Sequence, residues 1–295
     1  DYSRFDKLDC SDSEEEESAK PGDVEADRRA LAELPPELSP ELSLVLAARH
    51  GQQHVVQALL DGRASANAAD PHGASALLRA VEGGVGSRPV IELLLRRGAD
   101  VNVRSAQGET PLARAAASGP PELCAALLEA GSPSDEVLGG ALAVAAAAGH
   151  RATARLLLDA RAPAGVCAAD GRLPLQRWAE HGDTEAMAQV LRARADIGAR
   201  DERGSTPLIA AVKAGSLQGV RWLCEHGASL DQPADDGRTP LVAASERPAG
   251  APELVAALLE LRADPLALPA ESRRTVPTPL VAAACAGHAA AAELL

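Results

Sequence analysis

The chain has 295 residues, 46% of them apolar, yet only four are aromatic (Tyr2, Phe5, Trp178, Trp222) and one is methionine, Met187. So aliphatic a composition points to closely packed helices and excludes an all-β architecture. Forty-two acidic against 29 basic side chains give a formal charge of −13, which repels phosphate backbones and anionic lipids and argues against a nucleic-acid or membrane-surface binder.

No apolar run approaches 18 residues and none follows the first residues, which argues against a membrane span and a secretory signal. The sequence does not begin with Met and is read as a fragment. Its five cysteines, Cys10, Cys124, Cys167, Cys224 and Cys285, lie tens of residues apart with no C-x-x-C pair, so neither a zinc ribbon nor a disulfide framework is expected. Four of them sit in apolar or alanine-rich stretches, where a thiol is a small hydrophobe. A reducing compartment, cytoplasmic or nuclear, fits this usage.

Residues 1–38 carry 13 acidic and 5 basic side chains, a net −8, leaving −5 for the other 257. With Ser11-Asp12-Ser13-Glu14-Glu15-Glu16-Glu17 at its centre, this segment buries too little apolar surface to offset the entropy of ordering. A disordered acidic tail with a short capping helix is expected. Ser11 and Ser13 each have Glu three residues downstream, the context favoured by acidophilic kinases of the casein kinase 2 type, which makes them candidate phosphorylation sites. The plainer reading is a solvated acidic leader. The first 17 or so residues also resemble a short leader found before several eukaryotic regulatory proteins, the kinase-specific heat-shock co-chaperone family among them, with Phe5 where that family has tryptophan. The likeness implies regulated docking. Around Leu38 the composition shifts, and Ser39-Pro40 offers an N-cap followed by proline at the first helical position.

From there a repeat dominates. A leucine followed seven positions later by glycine recurs at Leu44/Gly51, Leu77/Gly84, Leu112/Gly119, Leu142/Gly149, Leu175/Gly182, Leu208/Gly215 and Leu280/Gly287; at Leu241, Pro248 replaces the glycine. The eight leucines are spaced 33, 35, 30, 33, 33, 33 and 39 apart. Gly108-Glu109-Thr110-Pro111-Leu112, Gly204-Ser205-Thr206-Pro207-Leu208 and Gly237-Arg238-Thr239-Pro240-Leu241 each place a turn glycine before a threonine N-cap and an N1 proline, a helix start. An alanine-rich helix follows, glycine ends it, and a second helix carries an apolar stripe such as Val90, Ile91, Leu94 and Leu95. Both helices are expected to be shorter than the roughly 12–15 residues an isolated helix needs in water, so they persist only by stacking.

Gly-x-Thr-Pro-Leu, the paired leucines and Gly98-Ala99-Asp100-Val101-Asn102 resemble the ankyrin-repeat family over residues 40–295. The resemblance implies an all-α solenoid of about eight helix-turn-helix units with short β-turn fingers and a concave face. The units fall at about 39–69, 70–104, 105–134, 135–167, 168–200, 201–233, 234–272 and 273–295, the last truncated within its second helix, so the protein is expected to continue past Leu295. Two departures stand out. The family's histidine after Thr-Pro-Leu is replaced, by Gln176, Ile209 and Val242 among others, which removes a customary polar link. Arg63, Arg161, Arg194 and Arg262 stand where the family has glycine in a left-handed conformation, at roughly 1–2 kcal/mol each, an expected source of local softness.

The irregular spacings predict where loops change. The interval of 30 reduces the finger entering the fourth unit; that of 35 lengthens the turn at Gly83-Gly84-Val85-Gly86; that of 39 adds residues near Pro248-Ala249-Gly250 and between Asp264 and Pro277.

No catalytic constellation is recognisable and no cofactor is implied. His50, His150, His181 and His288 adjoin the same turn glycine in different units, and periodic placement reads as structure, populating the exposed helix-to-helix turn. His50 and His54 straddle Gly51 and lack an acidic third ligand at suitable spacing, so they form no zinc site. Gly83-Gly84-Val85-Gly86 follows a helix and lacks the Gly-Lys-Ser/Thr ending of a phosphate loop. Trp178 and Trp222 read as packing residues rather than recognition aromatics.

The resemblance implies that partners are bound by finger tips and the solvent-facing end of the first helix. In the fifth to seventh units the corresponding charged or polar side chains are Asp170, Arg172, Glu180, His181; Glu202, Arg203, Ser205, Lys213; and Asp235, Asp236, Arg238, Glu246, Arg247. The third unit offers Ala106, Gln107, Glu109, Ala117 and Ser118 instead. The expected function is a non-catalytic scaffold or adaptor that binds an unidentified protein partner through this mixed-charge patch. The alternative is a regulatory or substrate-recruiting region of a larger enzyme, a kinase or ubiquitin ligase, with its catalytic domain outside this sequence; a co-chaperone-type client adaptor is a third reading, carried by the leader alone.

Overall fold

The computed structural model describes residues 39–247, 251–267 and 276–295. The acidic tail, the leader and the candidate sites Ser11 and Ser13 lie outside the described residues, as does most of the insertion between Asp264 and Pro277. Among the described residues sixteen α-helices form eight antiparallel pairs: α1 Pro40–Arg49 with α2 Gln53–Asp61, α3 Ala76–Glu82 with α4 Arg88–Arg96, α5 Pro111–Ser118 with α6 Pro121–Ala130, and α7 Asp135–Ala148 with α8 Arg151–Asp159. These are followed by α9 Pro174–His181 with α10 Thr184–Arg192, α11 Pro207–Ala214 with α12 Leu217–Glu225, α13 Pro240–Ser245 with α14 Pro252–Glu260, and α15 Pro279–Cys285 with α16 Ala289–Leu294. No strand forms among the described residues; one isolated bridge joins Ala69 and Ser75.

The start signals act as their chemistry predicts. Thr110, Thr206, Thr239 and Thr278 accept through Oγ1 from the backbone N–H three residues on, at 3.2–3.4 Å, with proline at the next position. Ser39, Ser75 and Ser134 do the same through Oγ. Each first helix then packs on the first helix of the next pair, as α9 does on α11 and α5 on α7, and second helices stack likewise. The repeat leucines Leu44, Leu77, Leu112, Leu142, Leu175, Leu208 and Leu241 are fully buried between layers. Leu280 of the last pair is 49% exposed, with Val281 and Leu294 nearly as open.

Fingers close alike in five units. The N–H groups of Asp70, Ser105, Ala168, Asp201 and Ala234 each donate to the carbonyl four residues on, at 2.8–3.0 Å. The fourth unit departs further than its spacing implies: four residues, Gly131 to Ser134, separate α6 from α7, and the finger is replaced by an N-terminal extension that makes α7 14 residues long. That helix exceeds the short lengths expected of the repeat. The glycine-rich segment of the second unit is a turn, with a 3-10 turn over Val85–Ser87 ahead of α4.

Arg63, Arg161, Arg194 and Arg262 adopt φ of 68°, 65°, 64° and 71°, the left-handed region in which a Cβ crowds the carbonyl. The missing consensus histidine is compensated in one unit. Gln176 is fully buried, its Oε1 accepts from Leu173 N–H at 2.9 Å, and its Nε2 donates to the Ser205 carbonyl of the next unit at 2.6 Å. Leu173 cannot cap α9 with its own side chain, so Gln176 does so and ties two units together.

Two outcomes follow. Gln176→Leu leaves a buried N–H and a buried carbonyl without their partner and lowers the unfolding free energy by about 2–3 kcal/mol; an unchanged urea midpoint shows that the bridge contributes nothing. Arg161→Gly with Arg194→Gly raises the unfolding free energy by about 1–2 kcal/mol in total, after the entropy cost of glycine is subtracted; a lower thermal midpoint refutes backbone strain at these sites.

Candidate functional site

The inner surface of the stack is built by the fingers and the solvent-facing ends of the first helices, and its chemistry is dominated by ion pairs within a unit. In the second unit Arg79 holds Asp70 through Nε at 2.9 Å and Glu82 through Nη1 at 2.7 Å. Burial alone would raise the pKa of Asp70, but the hydrogen bonds from Arg79 and from Ala74 N–H outweigh it and hold the carboxyl below its usual range. In the fifth unit Arg172 pairs with Glu180, and Arg177 with Asp170 and with Glu180 at 3.3 Å. In the seventh, Arg238 donates to Glu246 at 2.7 Å and meets Asp236 at 3.3 Å, while Asp235 pairs with Arg200 at 2.9 Å. Hydrogen bonding to Glu246 raises the pKa of Arg238 against a smaller opposing effect of burial.

The sixth unit breaks this pattern. Ser205 and Lys213 occupy the positions held by Arg172 and Glu180 one unit earlier and by Arg238 and Glu246 one unit later. Ser205 is 6% exposed and faces the interior of the finger, where its N–H is bound by Asp201 at 2.7 Å, so it is not part of the accessible surface. Lys213 and Arg203 are both exposed and, among the described residues, neither forms an ion pair. Glu202 is exposed beside them.

Two further sequence-predicted residues have structural tasks. Arg247 donates through Nη1 to the Val212 carbonyl at 3.1 Å and to that of Lys213, capping the C-terminus of α11 from the next unit, where a cation is favourable. His181 is exposed, with Nδ1 against the Arg177 carbonyl at 2.7 Å.

The cross-unit caps escape a reading of single repeats. His150 Nδ1 meets the Ala116 carbonyl at 2.9 Å, Thr153 Oγ1 donates to the Gly119 carbonyl at 2.6 Å, and His288 Nδ1 meets the Ser245 carbonyl at 2.9 Å. His150 and His288 therefore reach into the preceding unit instead of merely occupying an exposed turn. Gly119 is needed there: its φ is 101°, and a Cβ would lie 3.0 Å from His150 Nε2. The only available signal was a histidine one residue past the turn glycine. The two tryptophans are packed, Trp178 being buried and Trp222 stacked on His226 with ring centroids 3.8 Å apart.

Among the described residues no group of three or more His, Cys, Asp or Glu is placed to hold a metal ion, and no helix is long and apolar enough to cross a membrane. Burial pushes the Cys124 thiol up to about 12, and burial with the Glu225 carboxylate pushes Cys224 up to about 11, so both stay protonated at neutral pH.

A family profile described as ankyrin repeats (3 copies) matches residues 36–105, 86–170 and 175–269. The chain belongs to the ankyrin-repeat family. It is 40% identical over 67 residues to ankyrin repeat-containing protein P1E11.10 of Schizosaccharomyces pombe, a match that spans 23% of this chain and 31% of that protein's length. The structure is similar to that of the human ASB11 ankyrin repeat domain, with a TM-score of 0.61 at 25% identity over 75% of this chain and 98% of that one. Ankyrin repeats are generally protein–protein interaction modules. These matches do not show the likeness of the leader to the co-chaperone family.

If Arg247 is a cap, Arg247→Met, which keeps much of the stem but removes the donors, lowers stability by about 1–2 kcal/mol in urea unfolding. A variant as stable as the parent assigns the arginine back to the free surface.

Proposed function

We propose that this ankyrin-repeat array is a non-catalytic scaffold or adaptor that binds a partner protein through its finger tips and inner helix surface, centred on the sixth unit. One observation carries the reading. Arg203 and Lys213 are exposed cations without carboxylate partners among the described residues, set between a fifth and a seventh unit whose charges neutralise one another. An exposed charge already held in an ion pair has to give up that pair on binding, whereas a free one forms its pair with the partner outright. The partner is therefore a protein that presents carboxylates toward this unit.

The remaining residues divide by task. Glu202, Asp235, Asp236, Asp170 and His181 are exposed and form the rim of the patch. Arg172, Glu180, Arg238 and Glu246 hold one another and give the rim its shape, while Ser205 and Arg247 belong to the scaffold. The protonated cysteines are consistent with a reducing compartment, cytoplasmic or nuclear. Ser11 and Ser13 are proposed as modification sites of the tail on their sequence context alone.

The test is a double charge reversal, Arg203→Glu with Lys213→Glu, in an affinity capture from native cells read by mass spectrometry. Partners recovered with the parent chain are expected to fall tenfold or more with the variant, at unchanged circular dichroism. Equal recovery removes the sixth unit from the interface.

A further inference from the structure

Loss of the fourth finger leaves a gap in the row of fingers, and the gap is not filled. Between the third finger and the fifth lies a notch of about 300 Å³, floored by Ala113, Ala117, Val137, Gly140, Val144 and Cys167. Its floor is methyl groups and bare backbone. Burial, with the Glu202 and Asp201 carboxylates, pushes the Cys167 thiol above its usual range, so that wall is neutral too.

The charges on the rim are balanced and engaged. Arg104 of the third finger pairs with Glu136 of α7 at 2.8 Å, and Arg114 is held by Glu109. No unpaired charge among these four is offered to an occupant, so charge complementarity selects an uncharged group, and the lining selects an apolar one.

The two adjacent glycines of α7 differ in what surrounds them. Glycine inside a helix is less stable than alanine and needs a reason. Gly139 has one, because a Cβ there would collide with Val166 and approach Pro163. Gly140 has none within the fold: its Cβ would meet no atom within 4 Å and would project into the notch. Bare backbone at such a point is what close approach by an external group requires.

We propose that the notch left by the missing finger is a docking subsite for one bulky, uncharged apolar side chain of a partner protein's segment lying along the inner face. The proposal rests on the reading of that face as a protein-binding surface and adds an anchor two units from the sixth. Volume at this site is the discriminating variable. Gly140→Leu fills the notch from α7, and Ala117→Leu, at an exposed position on α5, fills it from the opposite wall should the first variant fail to fold.

The experiment pans a phage-displayed random peptide library on the full chain. Fluorescence polarisation then measures the selected peptides against the parent, the two filled variants and the Arg203→Glu, Lys213→Glu double variant. The expected result is a set of peptides sharing a bulky apolar residue, whose affinity falls tenfold or more with either filled variant that folds. Peptides that bind the filled variants within twofold of the parent overturn the subsite while leaving the sixth-unit patch standing if they lose affinity for the double variant. A library that yields no binder overturns both.

Discussion

Every functional statement about this protein depends on one interaction, the burial of aliphatic faces between successive helix pairs. Apart from α7, the helices are 6 to 10 residues long, below the length at which a helix persists alone in water. A buried side chain of leucine size contributes about 1.5–3 kcal/mol, and the inner pairs supply several each: Leu175, Met187 and Val190 in the fifth, Leu208, Val220 and Leu223 in the sixth. The alanines matter as much as the leucines. Ala115, Ala116, Ala145, Ala146 and Ala211 are completely buried, and side chains this small let first helices lie close enough for finger tips of adjacent units to form one surface.

Polar ties between units refine that stack and are unevenly distributed. Asn67 Oδ1 accepts from Asp100 N–H at 2.8 Å, Asn102 Oδ1 from Ser134 N–H at 2.7 Å, and Asp231 Oδ1 from Asp264 N–H at 3.0 Å, each linking one unit to the next. Gly165 and Gly198 occupy the equivalent places in the fourth and fifth units and cannot make this bond. The same two units carry Arg161 and Arg194 in the left-handed region. Coupling there passes instead through Gln176 and through Arg151, which reaches Asp183 and Glu185 of the following unit at 2.8 and 3.1 Å.

Local signals were legible in the sequence, and relations between units were not. Thr-Pro-Leu placed the helix starts because capping needs only a side chain and the backbone three residues on. The glycine at position seven placed the turns, and four arginines at glycine positions announced their positive φ. The shortened interval located the change before Leu142, but it could not show that α7 would absorb the missing finger, since Asp135-Glu136-Val137-Leu138 begins a helix only when Ser134 is free to cap it. Equally, position alone assigned Arg247 and Ser205 to the surface. Arg247 is spent on carbonyls 34 and 35 residues back, in the preceding unit, which its own unit does not reveal; Ser205 is drawn inward by Asp201 of its own finger, a contact that only the folded turn creates.

The inner face illustrates how small a change separates scaffold from site. Arg172 with Glu180 and Arg238 with Glu246 are the same pair two units apart, and replacing it by Ser205 with Lys213 removes one charge and inverts the other. An exposed ion pair contributes about 0–1 kcal/mol to stability, so the exchange costs the fold little. Its effect on the surface is larger, because a charge that was cancelled eight residues away along the chain becomes available to another molecule. The missing finger follows the same logic in shape rather than charge. Extending α7 keeps Leu142 and its neighbours buried while removing a wall, so the layers that hold the array together are unchanged and only the face turned to solvent is new.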